Sequence, residues 1–487
     1  MGRLQLRKTL EAVFVCCAAA GVTAAQTYTT LHNFTGPDGA NPYAPLIQGF
    51  DGNLYGTTEY GGANNYGTVF KITPKGEFTT IHSFGLANDG AFPEGGLALD
   101  VKGNLYGTTY RGGNNDYGYG TIFEISRDGS FTTLATFDGT VDDGGENPTG
   151  SLVVASGKLY GVTANGGTYG YGTFYELTLT GAPTEPVDGT IYPTTEAGSL
   201  EALFSCTETK GGTPAGGLVV DTVSDIVTLL GPLQTGGPNN DGAVVRINPN
   251  KDRVLDSWDL DDADGSAPRG SLVQGNNGYV YSTASAKGLN DGGTLWGITP
   301  SGSFTVLYNF CSLYDCYDGG DPWSGVVLAS DGNLYGTALF GGEYNYGNIY
   351  QFNLTTNQLT NVYSFSETVG YEAYAPPVQA TDGIFYGATF YGGPNNDGAI
   401  YSLKLSPVRP FVDAFPPFGG VGATVDIVGN NLKGTTAVTF NGIAATFTVV
   451  TNVLIQAVIP EGATTGNVEV TTPHGKVSSA RDFVVLE

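Results

Sequence analysis

Positive charge is scarce in this chain. Lysine and arginine number 20 against 46 aspartates and glutamates, and all charged residues together make up 14% of 487. A formal charge of −26 repels phosphate backbones and anionic headgroups, which excludes nucleic acid as a partner. Histidine occurs three times. No His-Glu-x-x-His, Gly-x-Ser-x-Gly or Cys-x-x-Cys pattern is present, so the common metalloprotease, serine-hydrolase and dithiol signatures are missing. Long apolar runs are absent beyond the N-terminus, which excludes insertion of the mature chain in a membrane as helices. Cysteine is rare, with five residues. Cys16 and Cys17 fall in the leader, Cys311 and Cys316 share a loop five residues apart, and Cys206 is left over.

Met1 to Ala25 has the layout of a secretory signal: Arg3, Arg7 and Lys8, an apolar run from Ala12 to Val22, and small residues before Gln26. Removing it leaves a mature charge of −28 and a secreted, extracellular or cell-envelope protein. In that setting a Cys311–Cys316 disulfide is expected. Cys206 takes the place that Phe34, Phe84, Phe137 and Phe310 hold in related segments, and reads as a small core residue.

What is abundant is glycine (75), tyrosine (29) and phenylalanine (25), the composition of all-β sequence broken by turns. One unit recurs. Asp51-Gly52-Asn53-Leu54-Tyr55-Gly56-Thr57-Thr58 returns near Leu105, Leu159, Leu229, Val280, Leu334 and Phe385. Each copy offers four strands. Strand A lies near Leu46 and its equivalents, and an Asp-Gly turn leads to strand B, the Leu-Tyr-Gly segment. A Gly-Gly loop leads to strand C, as in Thr68–Ile72, and a short turn to strand D, as in Phe78–Phe84. A loop of the form Asp-Gly-x-x-Pro then leads to the next strand A. Four antiparallel strands in about 50 residues make one propeller blade. A strand D, Tyr28–Phe34, precedes the first strand A, and none follows the last strand C. These observations predict a seven-bladed β-propeller over 27–405, with the chain's beginning completing its last blade and removing open edges. Residues 181–198 read as an inserted loop, and in the fourth copy Val220 to Ser224 reads as the A–B turn.

After a linker at 406–410 the composition shifts to Val, Thr and Ala. Short strands over 411–487 predict an immunoglobulin-like β-sandwich.

The D–A and B–C loops would emerge on one face and are longer and more varied than the turns opposite. Candidate ligand-binding residues there are Asn65, Tyr66, Asp116, Tyr117, Tyr169, Tyr171, Asn240, Asp241, Asn345, Tyr346, Asn396 and Asp397, because tyrosine rings beside Asn and Asp suit sugar faces and hydroxyls. Asp38, Asp89, Asp142, Asp143, Asp262, Asp264, Asp318 and Asp321 share that face. Turn chemistry explains each acid or amide equally well. No cofactor is implied. The acidic run Asp259 to Asp264 leaves calcium open, but lacks regular ligand spacing and a closing Glu. His32 and His82 fall at a strand D position that varies freely between copies.

The repeat Asp-Gly-Asn-Leu-Tyr-Gly-Thr-Thr, Gly-Gly, Gly-Thr-Val-Phe-Lys-Ile-Thr-Pro resembles that of the choice-of-anchor GloVer-containing proteins. The resemblance implies exported, surface-associated proteins and brings no catalytic residues. Residues 409–487 look like an IPT/TIG domain, on Phe415-Pro416, Val425 to Leu432, Val438 to Gly442 and Val458 to Pro460. Such modules serve adhesion, spacing or docking. The function expected is non-catalytic binding of a polysaccharide or cell-surface protein by a monomer. The alternatives are a carbohydrate hydrolase or lyase using loop carboxylates, and a purely structural surface protein.

Overall fold

The computed structural model describes residues 26–113, 118–139, 145–155, 157–180, 196–223, 226–249 and 253–486. The expected signal, at 1–25, lies outside them. Seven antiparallel sheets follow one another through residues 26–405. Each runs A-B-C-D. The first, for example, comprises Ile47–Gln48, Leu54–Thr58, Thr68–Ile72 and Phe78–Ser83. The seventh comprises Val378–Gln379, Phe385–Thr389 and Ala399–Leu405, and its outer strand is Gln26–Asn33 from the start of the chain. Tyr28 faces Leu403 and Thr29 faces Ser402 across that seam.

The repeated motif is a self-capping hairpin. Tyr55, Tyr106, Tyr335 and Tyr386 donate their hydroxyls to the turn carboxylates of Asp51, Asp100, Asp331 and Asp382 at 2.7–3.0 Å. The same carboxylates accept backbone N–H groups of the turn. The residue before each tyrosine is buried between sheets; Leu54, Leu159 and Leu334 are fully enclosed. The motif glycine leaves room for the neighbouring strands' side chains: a Cβ at Gly56 would stand 2.7 Å from both Leu46 and Phe70.

Three expectations change or gain detail. In the fourth sheet Val219–Val223 is strand, paired from Val219↔Leu230 to Val223↔Ile226, so 220–223 of the proposed turn belong to the hairpin arm and Ser224 lies outside the described residues. Of the expected insertion, 181–195 lies outside the described residues, and strand D resumes at Glu196. His32 and His82 do not occupy an indifferent position. Their Nε2 atoms lie 2.9 and 2.8 Å from Asp38 and Asp89 of the following loop, and their rings stack on Phe78 and Phe131 of the next blade. Tyr308 makes the equivalent bond to Asp318. In three blades this position ties the D–A loop down, while Asp256 at the same place pairs with Arg246 of its own sheet. Cys311 and Cys316 form a disulfide, and Cys206 is buried in a core with Phe174 and Leu218.

The C-terminal unit is a β-sandwich. One sheet holds Asp413–Phe415, Thr424–Val428, Leu454–Val458 and Thr446–Val449; the other holds Ile443–Ala444, Ala437–Phe440, Val468–Thr472 and Gly475–Ser478. Val425, Ile427, Val438, Phe440, Ile455 and Val470 alternate inward to fill it. It contacts A–B turns of the ring: Phe50 packs on Phe415, Val428 and Leu454, Asn430 donates to Thr381 at 2.7 Å, and Asn276 donates to the Ala480 carbonyl. The sandwich therefore sits on the turn face, leaving the D–A and B–C loops on the opposite face. Among the described residues no helix is long and apolar enough to cross a membrane.

Candidate binding site at the channel mouth

Every D–A loop ends in one repeated device. Asn41, Phe92, Asn147, Thr213, Ala267, Asp321 and Glu372 all take left-handed backbone, with φ between 50° and 59°. Their backbones bond to the residue that ends strand B, as in Glu59 N–H to the Asn41 carbonyl and Tyr110 N–H to Phe92. The chain then turns to the ring axis. The second residue after this device is Tyr43, Glu94, Thr149, Ala215, Arg269, Trp323 or Tyr374, one per blade. The next is always small: Ala44, Gly95, Gly150, Gly216, Gly270, Ser324 or Ala375. Backbones crowd at the axis there, since a Cβ on Gly150 would meet the Gly216 carbonyl and one on Gly216 the Arg269 carbonyl.

All seven variable residues line one cavity of about 270 Å3, together with Tyr110, Ala164 and Gln234 from the ends of strand B. The walls are aromatic on one side. Tyr43 stacks on Tyr374 with ring centroids 5.0 Å apart, and Trp323 donates its indole N–H to the Tyr43 hydroxyl at 2.9 Å. Tyr374 meets Trp323 edge-on at 5.6 Å and Phe390 at 5.2 Å. These contacts join blades six, seven and one, so they exist because the ring is closed. The Arg269 guanidinium lies 3.7 Å over the Trp323 ring, and the Gln234 amide, turned to present its oxygen, accepts from it.

The carboxylates lie in a different state. Burial pushes the Glu94 carboxyl up to about 8, with Glu59 adding and Arg111 opposing. Burial also raises Glu59, and raises Asp321 to about 6 against the pull of Arg269. Tyr43 rises to about 12, chiefly by burial. Glu94 therefore carries its proton at neutral pH. Because its folded value lies above its ordinary 4.5, its burial costs nothing in acid, and stability falls as pH rises from about 4.5 to 8. Glu94→Gln is expected to leave the thermal midpoint unchanged near pH 4 and to raise stability near pH 8.5 by on the order of 3 kcal/mol. Equal melting of the two proteins at the higher pH would show a solvated carboxylate instead.

The residues singled out in the sequence lie around this mouth, and none of the described ones lines the cavity. Asn65, Asn240, Asn345 and Asn396 adopt φ of 58–61°, and their side-chain oxygens accept the N–H of Gly61, Gly236, Gly341 and Gly392. Tyr66 and Tyr346 are half-buried against Phe92 and Tyr371. Asp241 is buried and shares the Lys287 ammonium with Asp262. The Asp397 carbonyl accepts Asn41 N–H, while burial and Asp38 raise its carboxyl. Tyr169 and Tyr171 are exposed on the third blade. Asp116 and Tyr117, like Asp142 and Asp143, lie outside the described residues. Asp38, Asp89 and Asp318 cap their own loops. Asp261 does the same, and no group of three or more metal-ligating side chains is found among the described residues.

What sequence reasoning missed are Tyr43, Glu94, Arg269, Trp323 and Tyr374. Their signal was available: a single position that varies from tyrosine to glutamate to arginine inside an otherwise regular repeat.

Similarity to solved structures is at the level of fold. A streptogramin B lyase is 17% identical with a TM-score of 0.50, covering 78% of this chain and 98% of its own. The virginiamycin B lyase of Staphylococcus aureus is 14% identical with a TM-score of 0.48, covering 78% and 99%. No curated protein matches the chain. The IPT/TIG domain profile matches residues 410–484. The repeat profile matches 20–186, 173–317 and 228–446, and on that coverage the chain belongs to the Gloeobacter/Verrucomicrobia repeat family.

Proposed function

We propose that this is an exported binding protein that recognises a surface polysaccharide at the channel mouth, with the loop residues around it as an outer rim. The observation that carries the reading is the joined aromatic wall of Tyr43, Tyr374, Trp323 and Phe390 beside the Glu94 carboxyl, in a cavity open on the face the sandwich leaves free. Aromatic faces pack on the C–H faces of sugar rings, and the polar groups at their edges select hydroxyls. The IPT/TIG domain would space or dock the ring from the turn face. Export rests on the signal expected at 1–25, and a surface protein of similar shape as the natural ligand is the other outcome of the same screen.

The test is a glycan array with the mature protein, followed by titration of each hit against Trp323→Ala. Removing the indole takes away a wall and the platform of Arg269, so affinity should fall at least tenfold. Silence on the array, or equal binding by the variant, would remove this reading.

A second reading is favoured by one observation: a proton-bearing Glu94 in the cavity wall is the kind of group that serves as general acid in glycoside cleavage. Release of reducing ends from polysaccharide, lost in Glu94→Gln, would establish it.

A further inference from the structure

The cavity has two unlike ends. At one, on blades five and six, the Arg269 cation is satisfied by Gln234 and the Trp323 face. At the other, on blades one and two, Glu94 lines the wall with Glu59 close enough to act on it. Among the described residues neither carboxyl takes part in an ion pair. Arg111 opposes the rise of Glu94 without an ion pair to it, and its guanidinium lies 5.9 Å from the Tyr110 ring. The other groups that feel Glu94 are the rings of Tyr43, Tyr60 and Tyr110. A desolvated carboxyl with no ion-pair partner among the described residues and aromatic rings around it forms a place where positive charge gains from both. A neutral sugar hydroxyl can bond Glu94 but offers no charge to pair with it once ionised.

We propose that the site selects a glycan bearing a protonated primary amine, such as a de-N-acetylated amino-sugar chain, with the ammonium lodged on Glu94 beside Tyr43 and Tyr110. The inference rests on the glycan-binding reading of the same cavity. It names the substrate class within it. The strongly negative chain would draw such a polycation in from a distance. Arg269 at the far end disfavours the reverse placement of the amine. Binding has a proton balance: Glu94 gives its proton to the buffer as a carboxylate–ammonium pair forms, and the amine keeps its own.

The experiment compares hexa-glucosamine with its fully N-acetylated counterpart by calorimetry on the mature protein. It is run at about pH 5.5, low enough for the amines of the oligomer to be protonated while Glu94 also keeps its proton, in about 0.3 M salt to screen unspecific attraction. Two buffers of different ionisation heat are used. The free amine should bind at least tenfold more tightly, with a buffer-dependent heat that reports close to one proton released. Glu94→Gln should lose both the preference and the proton release while still melting cooperatively, at or above the parent's temperature. Asp315→Asn, on the exposed disulfide loop, should behave as the parent. Equal binding of the two hexamers, or amine binding without proton release, overturns the inference. If neither hexamer binds while other glycans score on the array and depend on Trp323, the inference fails and the broader reading stands. If no glycan depends on Trp323, both fail.

Discussion

Deleting residues 26–34 is expected to convert a cooperatively melting protein into an aggregating one. The segment is the fourth strand of the last sheet, paired along its length with 399–405. Without it, that strand becomes an open edge backed by the fully buried Ile400, Tyr401 and Leu403, and such an edge recruits other chains. The lost packing is large. Tyr28 lies between Tyr363 and Tyr401, with centroids 4.2 and 5.2 Å away. Phe34, 1% exposed, meets Phe70 and Phe78. Removing one buried aromatic costs about 3–5 kcal/mol, and two of them approach the roughly 5–15 kcal/mol that holds a typical domain together. The site would go as well, because the Tyr43–Tyr374 stack bridges the first and last blades. Size-exclusion chromatography and thermal melting of the deletion check this.

Gly216→Val is expected to be the most damaging single substitution at the axis. Gly216 has φ of +73°, and a Cβ there would run into the Arg269 carbonyl of the next blade. Two costs combine: left-handed backbone for a β-branched residue, and displacement of backbone that cannot swing aside as a side chain would. Gly332→Val separates them. Its φ is +79° and nothing lies within 4 Å of its Cβ, so only the backbone term applies. We expect a loss of about 1–2 kcal/mol for Gly332→Val and more than about 4 kcal/mol, or no folded protein, for Gly216→Val. Urea denaturation of the pair measures the difference.

The ring was legible in the sequence because the repeat carries its own turn chemistry. Asp51, Asn53 and Tyr55 mark a hairpin before any tertiary contact is known, and the surplus strand at Tyr28 has nowhere to pair except the last blade. The binding mouth was less legible. Asn65 and its three equivalents attract notice by recurring, yet recurrence reflects a backbone need for left-handed turns, and their oxygens are used on Gly61 and its counterparts. Trp323 and Glu94 do not recur, and nothing within 30 residues of either says that they meet. Only the sevenfold convergence of the loops on the axis does. His32 was misjudged for a related reason: its partner Phe78 belongs to the next blade, and an inter-blade contact leaves no local pattern.

The seam between the two ends of the ring supports everything else, and a cross-link tests it directly. Thr29 and Ser402 face each other across it, and directly opposed residues of antiparallel strands stand about 4.5–5.5 Å apart, within the reach of a disulfide. Thr29→Cys with Ser402→Cys, oxidised and analysed by peptide mass after digestion, should give one intramolecular link in a monomer that melts higher than its reduced form. Free thiols at both positions, or links found only between chains, would contradict a closed ring and remove the basis for a binding mouth at its axis.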